Sequence, residues 1–274
     1  MDKFESRDKM IAEIIKGSNK IIIKIGSSTI TSEDGTIDKD FLENLALQVK
    51  TLMDQGKKIV IVSSGARIAG VSTIGKWSRK EDIHYKQALC AIGQVELMDA
   101  YRRKFNNYGI HIAQILLTRE DIEDKNRSLN IRNTLFTLVD EGVVPIINEN
   151  DTVSVDEIKI GDNDMLAAHS TVLWGGDLLV LLSDIDGIYD KNPTTNSDAK
   201  LIEVVQNVED LEGSITIGET SSFGTGGITT KIKAAKLVTK YGTPMIVAKG
   251  KKKNILIDLS EGREKATLFR AKNR

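Results

Sequence analysis

Residues Gly224 to Lys231 read GTGGITTK, and their types together describe an anion site at the start of a helix. Glycine lets the backbone approach an anion closely and take positive φ. Thr225, Thr229 and Thr230 place hydroxyls around Gly226, Gly227 and Ile228, and Lys231 adds a point charge. The helical pattern that follows turns its free N–H groups and positive dipole end into the loop. A merely flexible loop would need neither the threonines nor the lysine, so the pattern favours phosphate binding.

Three further groupings could act with it. Lys24-Ile25-Gly26-Ser27-Ser28 ends a β-branched run. An unpaired buried charge is costly, so Lys24 is read as aimed at an anion beyond the strand end. Gly161-Asp162-Asn163-Asp164 opens a helix. One Asp or Asn there would serve as an N-cap, but two carboxylates around an amide exceed that need. They could hold a lysine, a metal ion or a substrate ammonium group. Asn148-Glu149-Asn150-Asp151 follows another strand. A turn explains part of it, and its polarity suits a small, charged, hydrogen-bonding substrate.

Other chemistries are poorly served. Residues 70–77 nearly fit the phosphate-loop pattern, but Trp77 stands where a metal-binding Ser or Thr belongs. No G-x-G-x-x-G links a first strand to a helix, which disfavours a nicotinamide-dependent dehydrogenase. His84, His111 and His169 are the only histidines, none in a metal-ligand spacing, and no protein metal site is expected. Cys90 is the single cysteine; it lies in an apolar helical stretch and reads as a buried structural thiol.

The elements that must position these groups alternate. Strands are predicted at 20–25, 58–62, 110–117, 143–147, 178–183 and 245–248, and helices from just after Asp38 to Gly56, and at 83–105, 126–140, 163–174 and 228–241. Residues 153–160 read as a half-exposed strand or hairpin arm, and 254–259 with 265–270 as a closing hairpin. Such alternation predicts an α/β fold with a mostly parallel sheet covered on both faces. Each candidate group falls just past the carboxyl end of a strand, where open α/β sheets bind ligands.

The whole chain sets bounds on partners. Its 274 residues are 40% hydrophobic and 28% charged, ordinary for a globular protein. Lys+Arg of 38 against Asp+Glu of 39 leaves no basic excess for nucleic acid. The run of Lys249, Lys251, Lys252 and Lys253 reads as a solvated turn. No signal-peptide core or membrane-length apolar run is present, so a cytoplasmic protein is expected.

The segments IIIKIGSS, VSSGA, QILLTRED, VPIINENDTVSVDEIKIGDND, LLSDIDGIYDKNP and GTGGITTK, in that order, resemble the amino-acid kinase family. Within it they are similar to the branch that phosphorylates free glutamate, over about residues 18–270. The resemblance implies a three-layer αβα sandwich with a central, mostly parallel open sheet. It implies one kinase domain over 1–274, with about 18–176 for the amino acid and about 177–270 for the nucleotide, in a form without the C-terminal PUA domain that many members carry. The implied reaction is ATP-dependent phosphorylation of the γ-carboxylate of L-glutamate to L-glutamyl 5-phosphate, the first step toward proline. Lys24 matches the lysine that contacts the transferring phosphate, and Asp164 the aspartate that organises Lys24 and Lys231. Ser64, Asp151 and Asn163 match glutamate-binding positions, completed by Gly65 and Asp162. Ser183, Asp184 and Thr225 through Lys231 match nucleotide-binding positions, with Mg²⁺ expected on the ATP phosphates. The resemblance also implies a homo-oligomer (dimer or tetramer), proline as feedback inhibitor and a glutamyl phosphate reductase as partner. Kinases of acetylglutamate, aspartate or uridylate share the lysine–glycine strand end but differ in the substrate segment. An amino-acid sensor on the same fold would not need the two lysines with Asp164.

Overall fold

A computed structural model describes residues 3–75, 79, 81–154, 163–214 and 227–271, with side chains for those from residue 9 onward except 212–214. The chain runs α1 (Lys3–Gly17), β1 (Lys20–Ile25), α2 (Ser27–Ile30), α3 (Lys39–Asp54), β2 (Lys58–Ser63), α4 (Ala66–Ile74), α5 (Ile83–Asn106) and β3 (Ile112–Leu117). It continues through α6 (Arg119–Glu123), α7 (Lys125–Asp140), β4 (Val144–Glu149), α8 (Asn163–Trp174), β5 (Leu178–Ser183) and the short strands β6 (Ile188–Tyr189), β7 (Leu201–Ile202) and β8 (Val204–Val205). It closes with α9 (Val208–Ser214), α10 (Ile228–Lys240), β9 (Met245–Lys249), α11 (Ile255–Ser260) and β10 (Thr267–Phe269).

The β-branched runs form the predicted sheet. Eight strands lie in the order β3-β4-β2-β1-β5-β9-β10-β8, parallel except that β10 runs against β9. β6 and β7 form a separate antiparallel pair. From β1 the chain first builds toward β2, β4 and β3, then returns to lay β5 on the other side of β1. The carboxyl ends of β1 and β5 therefore flank a topological switch point, the crevice where such sheets take ligands.

Alternation along β1 assigns the two faces. Ile21, Ile23 and Ile25 enter a core closed by α1, α3, α5 and α11. Ile22 enters the opposite core, closed by α7, α8, α9 and α10. This is the three-layer sandwich, two apolar layers divided by one sheet. Lys24 shares a face with Ile22, so its side chain leaves β1 on the side of α8 and α10.

Among the elements that differ from the sequence expectation, three bear on the core and the strand ends. Residues 254–259 are not a hairpin arm: α11 buries Ile255, Leu256 and Leu259 at helical spacing, and only β10 is extended. β4 reaches Glu149, so Asn148 and Glu149 end the strand and the turn starts at Asn150. The charged N-terminus forms α1, which seats Ile11 and Ile15 in the core. The buried Lys57 ammonium donates to the Ile15, Lys16 and Ser18 carbonyls at 2.8, 3.1 and 2.8 Å, satisfying the end of α1. The proposed strand at 153–160 lies mostly outside the described residues. No described helix is long and apolar enough to cross a membrane.

Candidate active site

At the switch point three predicted residues meet. Asp164, in the first turn of α8, has no solvent exposure. Its Oδ1 lies 2.6 Å from Lys24 Nζ and its Oδ2 3.2 Å from Lys231 Nζ. Lys24 and Lys231 are themselves 7% and 5% exposed. The Thr230 hydroxyl donates to Asp164 Oδ2 at 2.8 Å. Burial alone raises the Asp164 carboxyl, but Lys24, Lys231 and Thr230 outweigh it and hold it well below the usual carboxylate range. One carboxylate thus keeps two ammonium groups close together, one from each half of the chain.

Asn163, one residue earlier, organises a neighbouring cluster of amides. Its Nδ2 lies 2.8 Å from the Ser63 carbonyl, 2.9 Å from Ser64 Oγ and 3.0 Å from Asn148 Oδ1. The amide orientation is set, since a carbonyl can only accept. Asn163 Oδ1 is left buried with no donor among the described residues. Buried polar atoms are nearly always paired, so this acceptor calls for a ligand donor. Asn148 continues the network, donating to Gln94 Oε1 at 2.8 Å. Ser63 Oγ meets the buried Tyr101 hydroxyl at 3.0 Å; burial pushes that phenol up, so it stays neutral.

Asp151 joins from the turn after β4. It is 6% exposed, and burial pushes its carboxyl up to about 6 against a hydrogen bond from the Cys90 thiol and the charge of Arg67. Cys90 therefore touches a predicted substrate residue, which its reading as a structural thiol missed. Gln87, Cys90 and Gln94 lie on one face of α5, meeting the Thr152 carbonyl, Asp151 and Asn148 in turn. The only sequence signal was their helical spacing in an otherwise unremarkable helix.

Glycines bring this wall close. Gly65 caps α4 at φ 104°, a left-handed conformation that turns the chain sharply from β2 into the helix. Where α4 crosses α5, a Cβ on Gly93 would overlap the Ala66 carbonyl, and one on Gly70 the Leu89 carbonyl. The helices pack backbone to backbone, setting the start of α4 against the Cys90–Gln94 stretch.

The nucleotide-side residues are placed in part. Ser183 ends β5 one residue beyond the Leu182 partner of Ile25, and its hydroxyl donates to Asp184 Oδ1 at 2.9 Å. Gly227 precedes α10, and Ile228, the exposed Thr229, Thr230 and Lys231 form its first turn. Asp162, Thr225 and Gly226 lie outside the described residues.

Comparison with known proteins identifies the family. The family model described as the amino acid kinase family matches residues 19–249. A protein of Alkaliphilus metalliredigens named glutamate 5-kinase is 66% identical over 262 residues, which is 96% of this chain and 99% of that one. Another of that name, from Alkaliphilus oremlandii, is 63% identical over 260 residues, covering 95% and 99%. Among solved structures, carbamate kinase from Giardia lamblia bound to AMP-PNP aligns with a TM-score of 0.65 at 12% identity, over 93% and 99% of the two chains. UMP kinase from Ureaplasma parvum aligns with a TM-score of 0.64 at 16% identity, over 92% and 98%. At those identities the two structures share the fold alone.

Proposed function

The chain belongs to the amino acid kinase family, and from that membership we propose how its lysine clamp and its amide cluster divide one reaction between them. The reaction is ATP-dependent phosphorylation of the γ-carboxylate of L-glutamate, giving L-glutamyl 5-phosphate in the first step of proline biosynthesis. Asn163, Ser64, Gly65, Asp151 and Asp162 hold glutamate. Ser183, Asp184 and residues Thr225 to Lys231 hold ATP. Residues of about 18–176 and about 177–270 accordingly form the two halves of one kinase domain.

The nucleophile needs no base. A glutamate side chain with a pKa of about 4.3 is already ionised at neutral pH. Its oxygen attacks the γ-phosphorus, the bond to the β–γ bridging oxygen breaks, and ADP leaves with those electrons. The obstacle is repulsion between the carboxylate and the phosphates, so catalysis reduces to alignment and charge neutralisation. Lys24 and Lys231 provide the neutralising charge, and Asp164 keeps them from repelling each other while the site is formed. Among the described residues no three His, Cys, Asp or Glu side chains converge as a metal cage. Mg²⁺ brought in with ATP would supply further neutralisation of the phosphate charge beside Lys24 and Lys231.

The observation that carries the reading is the buried Lys24–Asp164–Lys231 clamp beside Asn163 Oδ1, to which no described residue donates. An ADP-release assay with glutamate, N-acetylglutamate, aspartate and UMP as separate acceptors tests it. Glutamate alone should support turnover. ATP binding with no ADP formed from any acceptor would overturn it in favour of a sensor. A cytoplasmic homo-oligomer, inhibition by proline and a reductase consuming the labile product belong to the same reading.

A further inference from the structure

We infer that Arg67 is a specificity-determining residue whose guanidinium receives the α-carboxylate of the amino-acid substrate, across from the Asp151 carboxylate. This rests on the glutamate reading above. Arg67 lies in the first turn of α4, three residues after Ser64. Helical side chains lean toward the helix N-terminus, which directs the Arg67 stem back to the carboxyl end of β2, where Ser64 and Asn163 meet. The glycine crossing with α5 fixes that turn against Gly93, where a Cβ would run into the Ala66 carbonyl. The Arg67 charge is near enough to Asp151 to favour its ionised form.

The decisive detail is Arg67 Nε. It is sealed from solvent and has no hydrogen-bond acceptor among the described residues. A buried donor on a cation is costly to leave unpaired, and a carboxylate is the acceptor that its planar fork fits best. The surroundings match the rest of an amino acid. Asn163 Oδ1 is a buried acceptor without a donor among the described residues, and Asp151 is a buried carboxylate, so both suit an ammonium group. An acceptor pair beside a lone cationic donor is complementary to a zwitterion.

The chemistry gives this contact a purpose. Glutamate carries two carboxylates, and only the γ-carboxylate may reach the phosphoryl group. Lys24 and Lys231 attract either one. A separate cation that retains the α-carboxylate forces the γ-carboxylate into the clamp and decides which acyl phosphate forms.

The test compares Arg67→Met, which keeps most of the packing stem, with Arg67→Lys and the wild type. Glutamate KM is measured together with competitive inhibition by glutarate, which lacks the ammonium group, and 4-aminobutyrate, which lacks the α-carboxylate. Arg67→Met should raise glutamate KM and glutarate Ki roughly 10- to 100-fold, the loss of one charge-assisted hydrogen bond. It should leave 4-aminobutyrate Ki and ATP KM unchanged, and Arg67→Lys should recover part of the loss. Equal weakening of all three ligands, or an unchanged glutamate KM, would overturn the inference alone. A wild type that forms no ADP with glutamate would overturn the kinase reading with it. Should Arg67→Met fail to fold, Arg67→Lys must show the same ranking of ligands at smaller amplitude, and equal weakening there also overturns it.

Discussion

Residues 18–176 and residues 177–270 differ in how their polar groups are placed. In the first, β1, β2 and β4 are almost wholly buried, and Ser63, Asn148 and Asn163 sit at 1% exposure or less within one amide network. In the second, β6, β7 and β8 are two residues each, and ion pairs such as Lys191–Asp198 and Lys252–Glu264 lie at or near the surface. A small zwitterion offers few atoms, so it must be read by dipoles that are dry and already fixed. A nucleotide offers many charged atoms and can be gripped by loops in water. Lys231 is the exception in the second half, buried because it must share Asp164 with Lys24.

The seam between the halves should break hardest. Asp164→Asn leaves two buried ammonium groups without their carboxylate, and removing one partner of a buried pair costs about 3–5 kcal/mol. Thermal denaturation at pH 7 should show a large fall in Tm. Because the folded Asp164 carboxyl is held low, its stabilisation is present above the ordinary carboxylate range and fades as pH falls below it, so the gap between variant and wild type should narrow in acid. An unchanged Tm would remove the clamp from the description of the seam.

Lys231→Ala comes next. It should cost on the order of 10²–10³ in turnover, the scale of one lost charge stabiliser, with glutamate KM little changed. A folded variant with near-normal turnover would deny the nucleotide half its catalytic member.

Gly93→Ala sharpens the contrast between the halves. The new methyl must displace α4 from α5, at about 1–3 kcal/mol for overpacking. Steady-state kinetics should show glutamate KM rising while ATP KM stays put. Equal changes in both would mean that the helix crossing supports the two halves alike.

Asp151 gives the smallest and most selective effect. With its folded value raised to about 6, it favours the folded state while protonated and loses that contribution as pH rises through 6. An ammonium group needs the ionised form, so kcat/KM for glutamate at saturating ATP should fall below about pH 6. Asp151→Asn should raise glutamate KM and flatten that limb; a limb unchanged in the variant belongs to another group.

Much of the fold was legible because its signals are local. The run from Lys20 to Ile25 is β-branched and forms β1 over the predicted residues, and α8 starts at Asn163 and ends at Trp174 as read. α11 was misread because six residues, ILIDLS, satisfy both alternation and helical spacing, and only burial against the first core separates them. The site was legible where a charge stood in an improbable place, as Lys24 does on a buried strand. It was illegible where ordinary residues acquired a role through contact. Cys90 and Gln94 look like any helix positions until α5 is laid beside β4, and Arg67 looks like a surface arginine until its Nε is sealed.

The sequence by itself determined the strand and helix order, the polar groups at the strand ends and the resemblance to a kinase family. Those follow from periodicity, turn chemistry and motif, which neighbouring residues encode. The resemblance named Asp164 as the organiser of Lys24 and Lys231, but only the tertiary structure decided that all three would be buried in direct contact, and that a glycine crossing would press α5 against the start of α4. Such pairings depend on which face of β1 each side chain takes and on how closely two backbones can approach. Both are settled only when the layers pack.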